Sequence, residues 1–308
     1  MPSRNDNDAP TGPSLDGEGM SRFYTAAGVQ TFHSGDHYWY EAGPRFLMGM
    51  PPHRTVVLDR ASAREILRET GAAGIRYLTE PEGGGVLSYR TVARGADYGI
   101  ERLSSNARSR VRRGLKRNEV RRILGSELAD EGEQAFVETM RRQERFSSRA
   151  IESWRRLLSA VDSEPACEVW TAWHEGQLAA YLITIRIEDI CEFFQARSRN
   201  DLLRSYPNNA LIYHVAQHML CERGVREISF GIETVSDDRG VEGFKASLGF
   251  GRHPVHQRVV FHPALAGVLA VPGVRTFIER STEWGSVPEA WRKAAGLVRL
   301  AEPGGHES

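Results

Sequence analysis

The chain has 308 residues, 40% of them hydrophobic, with 40 lysines and arginines set against 40 aspartates and glutamates. That length buries one large or two modest cores, and no apolar run reaches the ~20 residues of a membrane-spanning helix, so the chain reads as soluble with no membrane partner. Balanced charge excludes a global field that collects polyanions, and an anionic partner has to be met by a local patch.

Residues 1–20 are rich in Pro, Gly, Ser, Asn and Asp and read as a disordered tail with no apolar signal segment. Cys167, Cys191 and Cys221 lie far apart without metal-type pairing, which reads as reduced, buried thiols of a cytoplasmic protein. Residues 21–125 are expected to form a first half of mixed β and α character. Arg45 to Met50 and Val56 to Leu58 are short apolar runs, Ser62 to Thr70 a helix with its exit at Gly71 and Gly74, and Ile75 to Leu78 a strand. Tyr38, Trp39 and Tyr40 beside His37 read either as an aromatic edge packed on the core or as a substrate-stacking wall. The loop from Pro81 to Gly85 lacks the spaced glycines and the lysine of a phosphate loop and is read as a plain turn.

Leu103 to Arg117 predicts a helix capped by Ser104 or Ser105, with Leu103, Ala107, Val111 and Leu115 as an apolar stripe. Its other faces carry Arg108, Arg110, Arg112, Arg113, Lys116 and Arg117, with Arg121 and Arg122 following. Such a face is either solvated and paired with the downstream acids Glu127, Asp130, Glu131 and Glu133, or a phosphate-binding surface.

Residues 126–263 are expected to form the second half. Gln134 to Arg145 and Arg149 to Val161 read as amphipathic helices, and Cys167 to Trp173 with Leu178 to Ile187 as a hairpin. Ile190 to Ala196 is a strand, followed by a polar loop and a helix that opens at Pro207 and Asn208 and stops at Gly224. Its apolar face is Leu211, Ile212, Val215, Met219 and Leu220. Arg226 to Ile232 then alternates as a strand and delivers Glu233 to its C-terminal end. Residues 264–308 read as a helical appendage, Ala264 to Ile278 and Pro288 to Leu300, interrupted at Pro272 and packed back through Trp284 and Trp291.

This order of elements, with SYPNNALIYHVAQHMLCERGVREISFGIE and FKASLGF, resembles the second half of acyltransferases of the GNAT superfamily, and more closely the Fem-type and cellulose-biosynthesis-type branch. In that branch a serine- or asparagine-proline opens the helix, an F-G or D-F-G strand end follows, and a [YF]-K-x-x-[FL]-G segment closes the unit. Pro207, Phe230, Gly231, Phe244, Lys245, Leu248 and Gly249 stand in those places, and the likeness extends upstream to LSSNARSRVRRGLKR. The resemblance implies an α/β protein of two GNAT-like halves in tandem, the first degenerate, with mixed central sheets flanked by helices. It implies parallel strands near Glu192 and Phe230 that splay apart. The implied reaction is N-acyl or aminoacyl transfer to a primary amine of a small-molecule or peptide acceptor. The donor is aminoacyl-tRNA or acyl-CoA, used as a cosubstrate, with no tightly bound cofactor and no metal; a Fem-type relative implies tRNA as partner.

Attack of a neutral amine on an activated carbonyl needs a route for the amine proton, donors for the oxyanion and a held leaving group. Glu233 is the first candidate for base or water relay. Glu192, expected to share a face with Phe194 and Ala196, is the alternative. Tyr213, expected in the first turn of the central helix, either protonates the leaving group or packs in the core. The resemblance places Lys245 near the donor or acceptor phosphates; the competing reading is a surface ion pair with Glu242. Arg197, Arg199 and Arg204 flank the helix N-terminus, opened by Asn208 and Asn209, where an anion is favoured. One departure bears on the donor: RSRNDLLRSYPNNA stands where acyl-CoA-using relatives carry R/Q-x-x-G-x-G/A, and it has neither glycine. The alternative function is a non-catalytic GNAT-like module that binds anions or RNA, in which Glu233 and Lys245 are dispensable.

Overall fold

A computed structural model describes residues 12–43, 45–233, 239–271, 273–281 and 289–301. The chain begins with α1 (Gly17–Ala26), β1 (Thr31–Ser34), β2 (His37–Gly43), β3 (Phe46–Met50), α2 (Arg60–Thr70), β4 (Gly74–Thr79) and β5 (Val86–Arg94). It continues with α3 (Ser105–Arg117), β6 (Glu119–Ile123), α4 (Gly125–Glu131), α5 (Glu133–Arg142), α6 (Ser148–Asp162), β7 (Cys167–His174), β8 (Gln177–Ile187) and β9 (Ile190–Ser198). The last elements are α7 (Pro207–Gln217), β10 (Glu227–Ile232), α8 (Arg239–Ser247), β11 (Gly251–Phe261), α9 (Pro263–Leu269), α10 (Val274–Ser281) and α11 (Glu289–Leu300). Among the described residues no helix is long and apolar enough to cross a membrane.

Among the described residues the chain forms two compact units: 12–28, 91–231 and 239–252 make the first, and 29–90, 232–233 and 253–301 the second. These divisions replace the expected ones at 125 and 263. The reason is long-range pairing: β6 joins β7 antiparallel from Glu119↔Trp173 to Ile123↔Val169, and β11 joins β4 from His256↔Thr79 to Phe261↔Gly74. The expected tail is corrected as well. Leu15 exchanges backbone hydrogen bonds with Arg186 and Glu188 at 2.9 Å, and Asp16 caps α1 by accepting from the Gly19 N–H at 2.7 Å. Leu15, Met20 and Phe23 are buried there, hidden in composition by their polar neighbours. Residues 1–11 lie outside the described residues.

In the first unit the strand order is β10-β9-β8-β7-β6. Only β10 and β9 run parallel, because α7 crosses between them. Glu175 and Gly176, at φ +50° and +77°, turn the β7–β8 hairpin in the primed sense that matches strand twist. α7 covers one sheet face, where Leu211, Ile212, Val215 and Met219 meet Leu182, Phe193 and Ile228. The helix widens into a π turn at His218–Glu222 before Gly224 leaves it at φ +66°. The other face meets an aromatic column, with Phe136 stacked on Trp154 at 4.8 Å, Trp154 against Tyr181 at 6.2 Å, and Phe23 against Phe194.

The α3 stripe departs from expectation at its end. Ser104 caps the helix and Ala107 and Val111 are buried, but Gly114 takes the fourth place while Leu115 is 38% exposed. A Cβ at Gly114 would stand 2.7 Å from the Tyr206 carbonyl oxygen, so only glycine lets the helix approach that closely.

In the second unit the order β1-β2-β3-β4-β11 contains one parallel pair, β3 with β4, and three antiparallel ones. Trp39 is fully buried there with Leu47, Ile66, Leu67, Ile75 and Tyr77. Tyr38 stacks on His33 at 4.4 Å and the Tyr40 hydroxyl reaches Met48 Sδ at 3.2 Å. Trp39 is therefore a core side chain, not part of a substrate wall. Val56 to Leu58 forms no strand; Thr55 bridges Leu78 instead. Pro81–Gly83 is a single 3₁₀ turn. Trp291 donates to Ser281 Oγ at 2.7 Å; Pro272 and Trp284 lie outside the described residues. Both units combine helices with strands, the α/β class expected.

Candidate active site

β9 and β10 pair over three positions only, Glu227↔Ile190, Ile228↔Cys191 and Ser229↔Glu192. Beyond Glu192 and Ser229 the two strands continue without pairing to each other, and the chain leads from β9 to the α7 N-terminus. The parting is built into both edges. β9 carries a bulge at Phe194, since Gln195 faces Ile183 while Phe193 faces the next residue, Thr184. Thr139 of α5 takes the place of a strand neighbour, donating to the Ser198 carbonyl and accepting from the Ser198 N–H, both at 3.1 Å. On β10, Ser229 Oγ accepts the Gly231 N–H at 2.8 Å.

The bulge changes the expected faces. Opposite β8, Glu192 faces Ile185, Gln195 faces Ile183 and Arg197 faces Tyr181, so these three share a side. Ala196 packs instead with the Cys191 and Phe193 cluster, which corrects its expected pairing with Glu192, while Phe194, the extra residue, stays on the Glu192 side against Phe23. Glu192 lies at the root of the fork. Its Oε1 is 3.0 Å from the place a Cβ would occupy at Gly231, whose φ is +78°. Burial, followed by the charges of Glu168 and Glu192, pushes the Cys191 thiol well above the ordinary thiol range, so it is no nucleophile at neutral pH.

At the N-terminus of α7, Tyr206 occupies the cap position in the left-handed region, φ +60°, and no side chain caps the helix. Asn118 anchors the preceding turn: its amide donates to the Gly114 and Ser205 carbonyls at 2.8 Å and accepts from Ser205 Oγ at 3.0 Å. α3 thereby brings its basic end to this point. Arg113 lies over the Tyr206 ring at 4.7 Å, and Arg117 donates to the Arg204 carbonyl at 3.1 Å. Arg112, Arg113, Lys116, Arg117 and Arg204 are exposed. Among the described residues none pairs with Glu127, Asp130, Glu131 or Glu133; Glu133 holds Arg155 at 2.7 Å.

The other candidates separate. Asn208 donates to Ser198 Oγ at 3.1 Å, while Asn209 is buried and its Nδ2 has no hydrogen-bond partner among the described residues. Arg199 is held by Asp201. Tyr213 is a core residue of the second turn, 6.0 Å from the Tyr98 ring, and burial raises its pKa, which leaves a neutral phenol in the core rather than a leaving-group acid. Lys245 pairs with Glu242 at 2.7 Å and lies over the Phe230 ring at 5.3 Å, so the ion pair and the position beside the fork are both present. Glu233 belongs to the second unit, half-buried, its N–H donating to the Tyr89 carbonyl at 2.8 Å. Thr139, Asn118 and Gln195 escaped sequence reasoning because their parts depend on partners 14 to 87 residues away, and Gly114 because its part depends on Tyr206 of a remote turn. Gly114 had a local signal: a glycine inside a basic helix that otherwise favours helix formers.

The acetyltransferase (GNAT) domain family matches residues 103–246. The crystal structure of FemX is similar with a TM-score of 0.62 at 13% identity, covering 85% of this chain and 96% of that one. The C-terminal domain of a putative lysylphosphatidylglycerol synthetase from Agrobacterium fabrum gives 0.55 at 14% identity, over 80% and 88% of the two chains. L-PGS from Bacillus licheniformis gives 0.53 at 12% identity, over 86% and 98%. At these identities the likeness is one of fold. No curated protein sequence matches the chain.

Proposed function

Residues 103–246 match the acetyltransferase (GNAT) domain family, and on that premise we propose that the chain is an N-acyltransferase. It moves an acyl or aminoacyl group from an activated donor, aminoacyl-tRNA or acyl-CoA, to the primary amine of a small-molecule or peptide acceptor, forming an amide. The observation that carries this reading is the parting of parallel β9 and β10 beyond Ser229 and Glu192. It opens strand edges to an extended acyl donor and sets a carboxylate at the point where they separate. The amine attacks the carbonyl carbon, backbone N–H groups of the fork receive the oxyanion, Glu192 takes the amine proton directly or through water, and the thiol or ribose hydroxyl leaves with a proton.

Of the two donors the site favours the tRNA ester. Wrapping a coenzyme pyrophosphate in backbone amides needs glycines before α7, where this chain has Arg199, Leu202, Leu203 and Tyr206, and Arg113 already covers Tyr206. The exposed arginines of α3 offer phosphate contacts at the same end. The test supplies purified full chain with mixed aminoacyl-tRNA or acetyl-CoA and a panel of amines, followed by mass spectrometry of products. Amide formed from charged tRNA is the expected result. RNA binding without product from either donor identifies the non-catalytic module instead.

A further inference from the structure

Three arginines of the first unit grip a carboxylate through the Nε–Nη2 edge of the guanidinium. Arg199 grips Asp201 through Nε at 3.1 Å and Nη2 at 2.6 Å, Arg226 grips Asp189 through the same two nitrogens, and Arg94 sets both on Glu227. This is the side of the guanidinium whose parallel N–H groups match two carboxylate oxygens. Arg197 differs. Its Nη1 donates to the Ala196 carbonyl at 2.8 Å, and its Nε is buried with no hydrogen-bond partner among the described residues. No carboxylate of the described residues pairs with it. Its electrostatic neighbours are the Tyr181 phenol and two further cations, Arg145 and Arg142, and burial with those cations depresses its pKa. Arg142 is turned to Asn200 and Thr139.

A half-buried cation among cations, with its bidentate edge unused, is costly to keep unless an anion arrives. Arg197 also stands in the row Glu192, Gln195, Arg197 on one side of β9, about 13 Å from the fork root at ~3.3 Å per strand step. We propose that the Nε–Nη2 edge of Arg197 binds a carboxylate of the acceptor, so that the substrate is an amine carrying a carboxylate. The amine lies toward Glu192 and the acid toward Arg197. This rests on the acyltransferase reading for the amine; the carboxylate site stands on the arginine geometry alone.

Calorimetric titration without any donor keeps the two apart. The full chain is titrated with β-alanine and 6-aminohexanoate, their amides, ethanolamine and phosphoethanolamine. At least one acid should bind about tenfold or more tightly than its amide, and Arg197→Gln should bring the ratio close to one. Arg197→Lys keeps the cation without the fork and should lose the preference too, which covers the case in which the glutamine variant does not fold. Equal binding of acid and amide at both lengths, an acid preference that survives in a folded Arg197→Gln, or a preference confined to phosphoethanolamine overturns the proposal. Acid preference without amide formation in the donor assay leaves the carboxylate site standing and removes the acyltransferase reading.

Discussion

At Gly231 the backbone lies at φ +78°, and the space a side chain would take is bounded by Glu192. Gly231→Ala should lower unfolding free energy by about 1 kcal/mol or more in urea titration, because a Cβ strains the left-handed backbone and presses on the carboxylate. For the base, Glu192→Gln preserves size and hydrogen bonding but removes the proton acceptor, and should reduce kcat about 10²-fold or more with donor affinity little changed. Glu233→Gln serves as the paired measurement: a comparable fall there, with Glu192→Gln fully active, moves the role to Glu233. Lys245→Met removes a cation that lies over Phe230 and is paired with Glu242. If it meets donor or acceptor phosphates the loss appears in KM; an unchanged KM leaves it as an i,i+3 ion pair worth about 0.3–0.5 kcal/mol.

The α3 helix works as an element through its packing on one side and its charge on the other. Changing Arg112, Arg113 and Arg117 together to glutamine should leave the fold intact, since all three are exposed. If these side chains contact three phosphates, the slope of log affinity against log salt for tRNA should become shallower by about 2 to 3. An unchanged slope returns the helix to a solvated face. Gly114→Ala tests the other side. The added methyl meets the Tyr206 carbonyl and Ala210, so the substitution should cost about 1–3 kcal/mol and loosen the α7 N-terminus, measurable as faster exchange of the Ala210 amide, which donates to the Tyr206 carbonyl.

For the whole molecule, each unit is assembled from separated stretches of chain, so local deletions reach distant cores. Met20 is 2% exposed and Phe23 3%, and Met20→Ala should cost about 2–5 kcal/mol in equilibrium unfolding although it lies in a polar N-terminal segment. Much of the architecture was legible from local pattern. The apolar period of Leu211 to Leu220, the alternation of Ile228 and Phe230, the Ser104 cap and the Glu175–Gly176 turn are set by residues within a few positions of one another. They suffice to predict a βαβ crossover and parallel strands. Glu192 was legible as an alternative base, but its place at the fork root, the Gly231 contact and the Arg197 edge were not legible in the same way. A bulge of one residue at Phe194 turns every later side chain of β9 to the other face, and nothing in the local sequence distinguishes it from regular strand. Sequence by itself determined which segments become helix or strand and that two strands run parallel, because those choices are made by neighbours along the chain. Tertiary structure alone decided where the strands part and which charged side chains remain for a substrate. Those outcomes depend on Thr139 standing in for a strand, on Gly114 admitting α3, and on which arginines find a carboxylate of their own, all of them contacts between residues remote in sequence.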